Sequence, residues 1–244
     1  MRTLRAGSAF IALTILIVTP LHAALLTGDV APPPANVDLT TQGNTDWIHW
    51  GLNNVNDVNR KATGLSQIST FTKIGSGTNI TRLTDSPSKY SWTDGSPTAV
   101  VANTPGGVYI NNFDGPGRGF QFTVPADLIE HTIFVHVGEF SASGTLTATL
   151  SDNSAPAFSK TLTGAANQTV QGVYTIDYQA GSPSQTLTVR WIETAELGGA
   201  SAADNITLQA VALCTPVTVP EPALLTLLIP LSLLRRRRLL TLAH

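Results

Sequence analysis

The run Asp46-Trp47-Ile48-His49-Trp50 packs two indoles, an imidazole and a carboxylate into five residues. In an extended strand successive side chains alternate, so Trp47 and His49 share one face while Ile48 and Trp50 share the other. Ile48 with Trp50 reads as core. Trp47, with His49 and Asp46 beside it, offers an apolar ring next to hydrogen-bonding groups. Sugar sites use that combination, with the ring against C–H groups and the polar atoms against hydroxyls. The competing reading makes Trp47 a cap on the edge of a sheet stack and His49 a satisfied structural histidine. Tyr90 and Trp92 share a face in Lys89-Tyr90-Ser91-Trp92, just before the turn signal Thr93-Asp94-Gly95. Stacking on a ligand and filling a core are both open to them. Trp47, His49, Tyr90 and Trp92 are the candidate ligand-binding residues.

Catalysis finds no foothold. The sequence has no Gly-x-Ser-x-Gly elbow and no His-Glu-x-x-His. Glu130, Glu139, Asp152, Glu193 and Glu196 could supply a carboxylate pair, but glycoside cleavage needs two of them at a set separation across a cleft. Spacing along the chain selects none, and the chain is read as non-enzymatic. His131 and His136 are five apart, which puts them on opposite faces of a continuous strand, and nothing has zinc spacing. No metal ligand and no cofactor is assigned.

These side chains need a frame, and from 36 to 213 the frame is strands. Runs rich in Thr, Val, Ile and aromatics are separated by Gly, Pro, Asn, Asp and Ser clusters, and no stretch keeps helical periodicity over three turns. Phe120, Phe122 and Val124 form one stripe of alternate residues; Ile133, Val135 and Val137 form another, with Phe134 and His136 on the opposite face. Leu146, Ala148 and Leu150 follow, then Tyr174, Ile176 and Tyr178, then Leu187, Val189 and Trp191. Ile206, Leu208, Ala210 and Ala212 close the set. Stripes of period two imply sheets covered on one face, hence an all-β, two-sheet antiparallel sandwich of about ten strands, jelly-roll-like in topology. One cysteine, Cys214, cannot form an internal disulfide, so the core must hold the domain together.

The two ends differ from this body. Arg2 and Arg5, an apolar run from 9 to 18 and Pro20-Leu21-His22-Ala23 have the layout of a secretory signal peptide, residues 1–23. Pro32-Pro33-Pro34 makes residues 24–35 read as a stiff spacer, and 214–218 as a linker. At the other end Val219, Pro220, Glu221 and Pro222 precede an apolar segment, 223–234, and the cluster Arg235, Arg236, Arg237 and Arg238. An apolar run followed by Arg is a membrane segment whose basic end stays cytoplasmic, although twelve residues make only about 18 Å of helix against ~30 Å of hydrocarbon. Between the ends there are 8 basic against 15 acidic residues. Phosphate backbones need clustered Lys and Arg, so nucleic acid is excluded as a partner.

The order of motif, apolar segment and arginines over 219–244 resembles a PEP-CTERM sorting signal. That resemblance implies export, transient anchoring in the inner membrane, cutting by an exosortase-type enzyme, and delivery to the envelope or extracellular matrix of an exopolysaccharide-producing bacterium. Asp46-Trp47-Ile48-His49-Trp50-Gly51, Ser91-Trp92-Thr93-Asp94-Gly95, Gly119-Phe120-Gln121-Phe122-Thr123-Val124-Pro125-Ala126 and Asn205-Ile206-Thr207-Leu208-Gln209-Ala210 carry a second resemblance, covering most of 36–213. They are similar to galactose-binding-like and carbohydrate-binding β-sandwich modules. This implies an extracellular polysaccharide as partner and allows a structural Ca²⁺, for which Asp38, Asp152 and Asp204 are loop-proximal oxygen donors. The expectation is an exported sandwich that binds or packs within exopolysaccharide without catalysis. Its alternatives are a structural or adhesive matrix protein with no defined ligand, and a polysaccharide lyase or hydrolase.

Overall fold

The computed structural model describes residues 23–76, 80–111, 115–198 and 203–216. The expected signal peptide and the sorting tail with its Val219–Arg238 motif elements lie outside them, apart from Ala23. In chain order the strands are β1 (Leu25–Ala31), β2 (Asn36–Asp38), β3 (Asp46–Trp50), β4 (Val58–Lys61), β5 (Thr72–Ile74), β6 (Ile80–Leu83), β7 (Lys89–Trp92), β8 (Gly95–Ser96) and β9 (Val101–Thr104). They continue as β10 (Gly107–Asn111), β11 (Gly119–Ala126), β12 (His131–Phe140), β13 (Ala142–Leu150), β14 (Phe158–Leu162), β15 (Thr169–Gln179), β16 (Gln185–Glu196) and β17 (Asn205–Cys214). One helical turn, α1 (Leu39–Gln42), is capped by the Asp38 carboxylate, which accepts from the backbone N–H of Thr40 and Thr41. Among the described residues no helix is long and apolar enough to cross a membrane.

Two sheets face each other. The larger runs β1-β15-β12-β17-β3-β4-β8, with β10 paired to β17 and β6 to β10; the smaller runs β14-β13-β16-β11-β5. From β11 onward the chain passes back and forth between them, which gives the sandwich its jelly-roll-like character. The predicted stripes meet between the sheets. Phe120, Phe122, Ile133, Val135, Leu146, Tyr174, Ile176, Leu187, Val189 and Trp191 share one apolar core. Burial of such side chains is worth roughly 1.5–3 kcal/mol each, which is how a domain without a disulfide holds together.

The structure corrects three expectations. The supposed spacer is half strand: Leu25 to Ala31 pairs antiparallel with β15 along its whole length and forms an edge of the larger sheet. Only the prolines after it, lacking the amide hydrogens a ladder needs, leave the sheet. The strands among the described residues are also more numerous than ten. Finally, the stripe Ile206, Leu208, Ala210 and Ala212 is not continuous. The register between β12 and β17 shifts so that His136 faces Ala210 while Val137 faces Leu208, which leaves Gln209 as an extra residue. A bulge of this kind turns every later side chain over. Val211 and Leu213 therefore join the main core, and Ala210 and Ala212 face outward.

That reversal makes room for a third layer the sequence did not announce. β2, β7 and β9 form a small sheet, with β2 and β7 parallel, and lie with α1 over the outer face of the larger sheet. A second apolar cluster fills the gap: Val37, Leu39, Trp47, Leu52, Tyr90, Trp92, Ala210 and Ala212. The two alanines are small enough to let the indoles sit close above β17.

Candidate functional site

The four residues singled out for stacking do come together. Ring centroids are 5.2 Å apart for Trp47 and Trp92, 5.0 Å for His49 and Trp92, and 5.6 Å for His49 and Tyr90. They come together inside, however. Trp47, His49 and Trp92 are 0% exposed and Tyr90 1%. A ring that stacks on a sugar needs one face open, so this cluster is the second core and not a binding platform. Its polar atoms are spent on structure. Asp94 accepts from Trp47 Nε1 at 3.1 Å and from Thr40 Oγ1 at 3.0 Å, and pairs with Lys61 Nζ at 2.7 Å. Burial pushes the Asp94 carboxyl up, but those three partners together hold it below its ordinary value. Trp92 Nε1 donates to the Thr98 carbonyl at 2.8 Å. His49 is not the satisfied histidine expected. Among the described residues neither ring nitrogen has a well-formed hydrogen bond. Burial depresses its pKa to about 3, against a small upward pull from the Gly106 backbone, and the ring stays neutral.

The other half of the same outer face is uncovered. In an antiparallel ladder directly opposed residues put their side chains on one face, so the register reads out two rungs. One is Thr169–Phe140–Asn205–Asn111 across β15, β12, β17 and β10. The next is Gln171–Gly138–Thr207–Tyr109–Thr81, reaching β6. Val108, Ile110 and Ile206 point the other way, into the core. Gly138 leaves a dip in the middle of the second rung, where an added Cβ would stand 2.8 Å from Thr207 Oγ1 and 3.4 Å from Gln171 Cγ.

Residues 83–87 wall this floor. Gln171 holds the wall in place: its Nε2 donates to Ser86 Oγ at 2.6 Å and its Oε1 accepts from the Ser88 amide at 2.9 Å. Two adjoining hollows result, of about 290 and 320 Å³, which share Leu83, Asp85 and Asn205. Phe140 lines the first, Tyr109 and Asn111 the second. Tyr109, Asn111, Phe140 and Asn205 are all half-buried. The Tyr109 hydroxyl and the side-chain amides of Asn111 and Asn205 have no partner among the described residues. The face thus combines two aromatic rings with unspent donors and acceptors at the lower end of the ~300–1,000 Å³ range of ligand pockets.

Sequence reasoning missed these residues although a signal existed. In Gly107-Val108-Tyr109-Ile110-Asn111 the outward positions alternate with two buried β-branched ones, as they do around Asn205 and Thr207. Of the five carboxylates considered, Glu193 and Glu196 come together, an oxygen of each lying within 4.8 Å of the other. Glu139 and Glu193 are both 0% exposed, and Glu139 Oε2 accepts from the Gly144 amide at 2.8 Å. Burial raises each to about 8. Of the three aspartates considered for Ca²⁺, Asp38 caps α1. Asp152 accepts from Ser154, Gly181 and Ser182. Asp204 lies instead with Glu193 and Glu196.

No protein-family model matches this chain, and no curated protein matches it. Among solved structures it is similar to TmCBM61, solved in complex with beta-1,4-galactotriose, at 10% identity and a TM-score of 0.37, covering 61% of this chain and 90% of that one. It is also similar to the enzymatically active domain of bacteriophage CBA120 tailspike protein 4, at 10% identity and a TM-score of 0.36, covering 64% of this chain and 20% of that one. Likeness at this level assigns neither family nor ligand. The sandwich rests on its own strand pairing.

Proposed function

We propose that the domain binds an extracellular polysaccharide, without catalysis, on the open half of the larger sheet. The observation that carries this reading is the joint presence there of Tyr109 and Phe140 with the half-buried polar groups of Tyr109, Asn111 and Asn205. Rings take the C–H faces of pyranose units while amides and hydroxyls exchange hydrogen bonds with sugar hydroxyls. The Glu139 carboxyl behind the first hollow is buried, and its Oε2 is bound to the Gly144 amide. A glycan array followed by calorimetric titration of the best oligosaccharide tests the assignment. Tyr109→Ala and Asn205→Ala should each weaken binding while the fold is kept; unchanged affinity in both rejects the site.

In the same proposal the chain is exported by residues 1–23. It is held briefly at the inner membrane by 219–244 and released to the envelope or matrix by an exosortase-type enzyme. The sequence order from Val219 to Arg238 supports this, and an epitope tag after His244 should be absent from the mature product. A purely adhesive role is favoured by one feature. The outer face of the smaller sheet is rich in threonine, with Thr145 Oγ1 bonded to Thr161 Oγ1 at 2.8 Å and Thr194 Oγ1 at 3.3 Å. Matrix retention that survives loss of Tyr109 would point to that face.

A further inference from the structure

Glu193 is 0% exposed near the end of β16, and neither of its carboxylate oxygens has a hydrogen-bond partner among the described residues. One oxygen of Glu196 is in the same condition. A buried carboxylate without a partner is costly, and nature pairs such groups or gives them a metal. An oxygen of Glu193, one of Glu196 and one of Asp204 all lie within 4.8 Å of one another. The backbone fixes this arrangement, since Gly117 N donates to Glu193 O and Glu193 N to Arg118 O, both at 2.9 Å. Burial first, then the charges of Asp204 and Glu196, push the Glu193 carboxyl up to about 8, and Arg118 offsets only part of that.

We infer that Glu193, Glu196 and Asp204 form a binding site for a hard divalent cation, Ca²⁺ in preference to Mg²⁺. The donors are all oxygen, which disfavours the metals that seek nitrogen or sulfur. Mg²⁺ dehydrates reluctantly and is seldom held by a cage of protein carboxylates alone, whereas Ca²⁺ takes several carboxylate oxygens in a flexible geometry. The ion would join the end of β16 to the start of β17, one residue from Asn205 on the open face. It would give the buried Glu193 carboxyl a partner that the described residues do not supply.

The test uses the full chain, stripped with a chelator and then titrated with CaCl₂ or MgCl₂. Thermal unfolding should shift upward by roughly 5–10 °C when free Ca²⁺ is about a hundredfold above its Kd, and less with Mg²⁺. Glu193→Gln should abolish the shift. In chelator it should unfold at or above the wild-type temperature, because the buried carboxyl without a partner is gone; a merely structural residue would show the opposite sign. Asp204→Asn, read the same way, covers the case in which Glu193→Gln fails to fold. No response of the wild type up to about 10 mM Ca²⁺, beyond the weakest extracellular sites, overturns the proposal. So does an undiminished shift in either variant.

Discussion

The outer face of the larger sheet has two halves built on one plan with opposite fates. Across β3 and the end of β17, outward aromatics meet a third layer and vanish from solvent. Across β10, the start of β17 and the end of β12, outward aromatics meet only the wall at 83–87 and stay half-open. The difference lies beneath and above the rings. In the covered half, Ala210 and Ala212 are small and apolar, and the bulge at Gln209 aims them outward. In the open half, half-buried Asn205 stands at such an outward position and would lose hydrogen bonds to water under an apolar lid, while the Thr207 hydroxyl is bonded to Gln209 Nε2 at 2.7 Å. An outward tryptophan therefore says which face it occupies. Its neighbours across the ladder say whether that face is wet.

The largest expected effect is structural. Trp92→Ala or Trp47→Ala should cost about 3–5 kcal/mol in urea unfolding, the usual loss for a buried large aromatic, without altering ligand affinity in the folded fraction. A loss of less than about 1 kcal/mol, as at ordinary surface sites, would mean that the third layer is not seated.

Next comes acid. His49 and His136 titrate at about 3 when folded against an ordinary 6.5, burial being the main cause in each. Between those values the unfolded chain binds more protons, so stability falls as pH drops from 6.5 toward 3, by about 1.4 kcal/mol per unit for each histidine. Glu139 works the other way. Its folded value near 8 exceeds the ordinary 4.5, and its contribution is lost as pH rises through that window. Between pH 4.5 and 6.5 the two histidines outweigh the one glutamate, so on these three groups stability should peak near pH 6.5. His49→Leu, which removes two buried nitrogens from an apolar cluster, should flatten the acid limb; a limb of unchanged slope would place that histidine in contact with water.

Smaller effects belong to the open half, where Tyr109→Ala should weaken glycan binding about tenfold, roughly 1.4 kcal/mol. Its cost in stability should stay below about 1 kcal/mol. Asn111→Ala, removing one amide at the rim, should weaken binding only a fewfold and leave unfolding unchanged. Equal losses of binding and stability in these variants would erase the distinction between the halves.

Much of the sandwich was legible in the sequence, because period-two stripes such as Tyr174-Ile176-Tyr178 and Leu187-Val189-Trp191 need only local alternation to be read. Even the faces of β3 were: Ile48 and Trp50 point to the main core, Trp47 and His49 away from it. The site was not legible, for a different reason. Exposure of Trp47 depends on β2, β7 and α1, which are distant in the chain and too short to declare themselves. The bulge at Gln209 leaves no mark in the composition of β17. The rungs Phe140–Asn205–Asn111 and Thr207–Tyr109 require the register of three strands drawn from opposite ends of the chain. The cluster Glu193–Glu196–Asp204 likewise joins two residues of β16 to one just before β17.

Affinity electrophoresis through polysaccharide-impregnated gels puts the two halves side by side, using a polymer found positive on the array. Retardation of the wild type should be lost in Tyr109→Ala and kept in Trp92→Phe, which preserves an aromatic ring in the buried cluster. The reverse pattern, with Tyr109→Ala still retarded and Trp92→Phe running free though folded, would contradict the account.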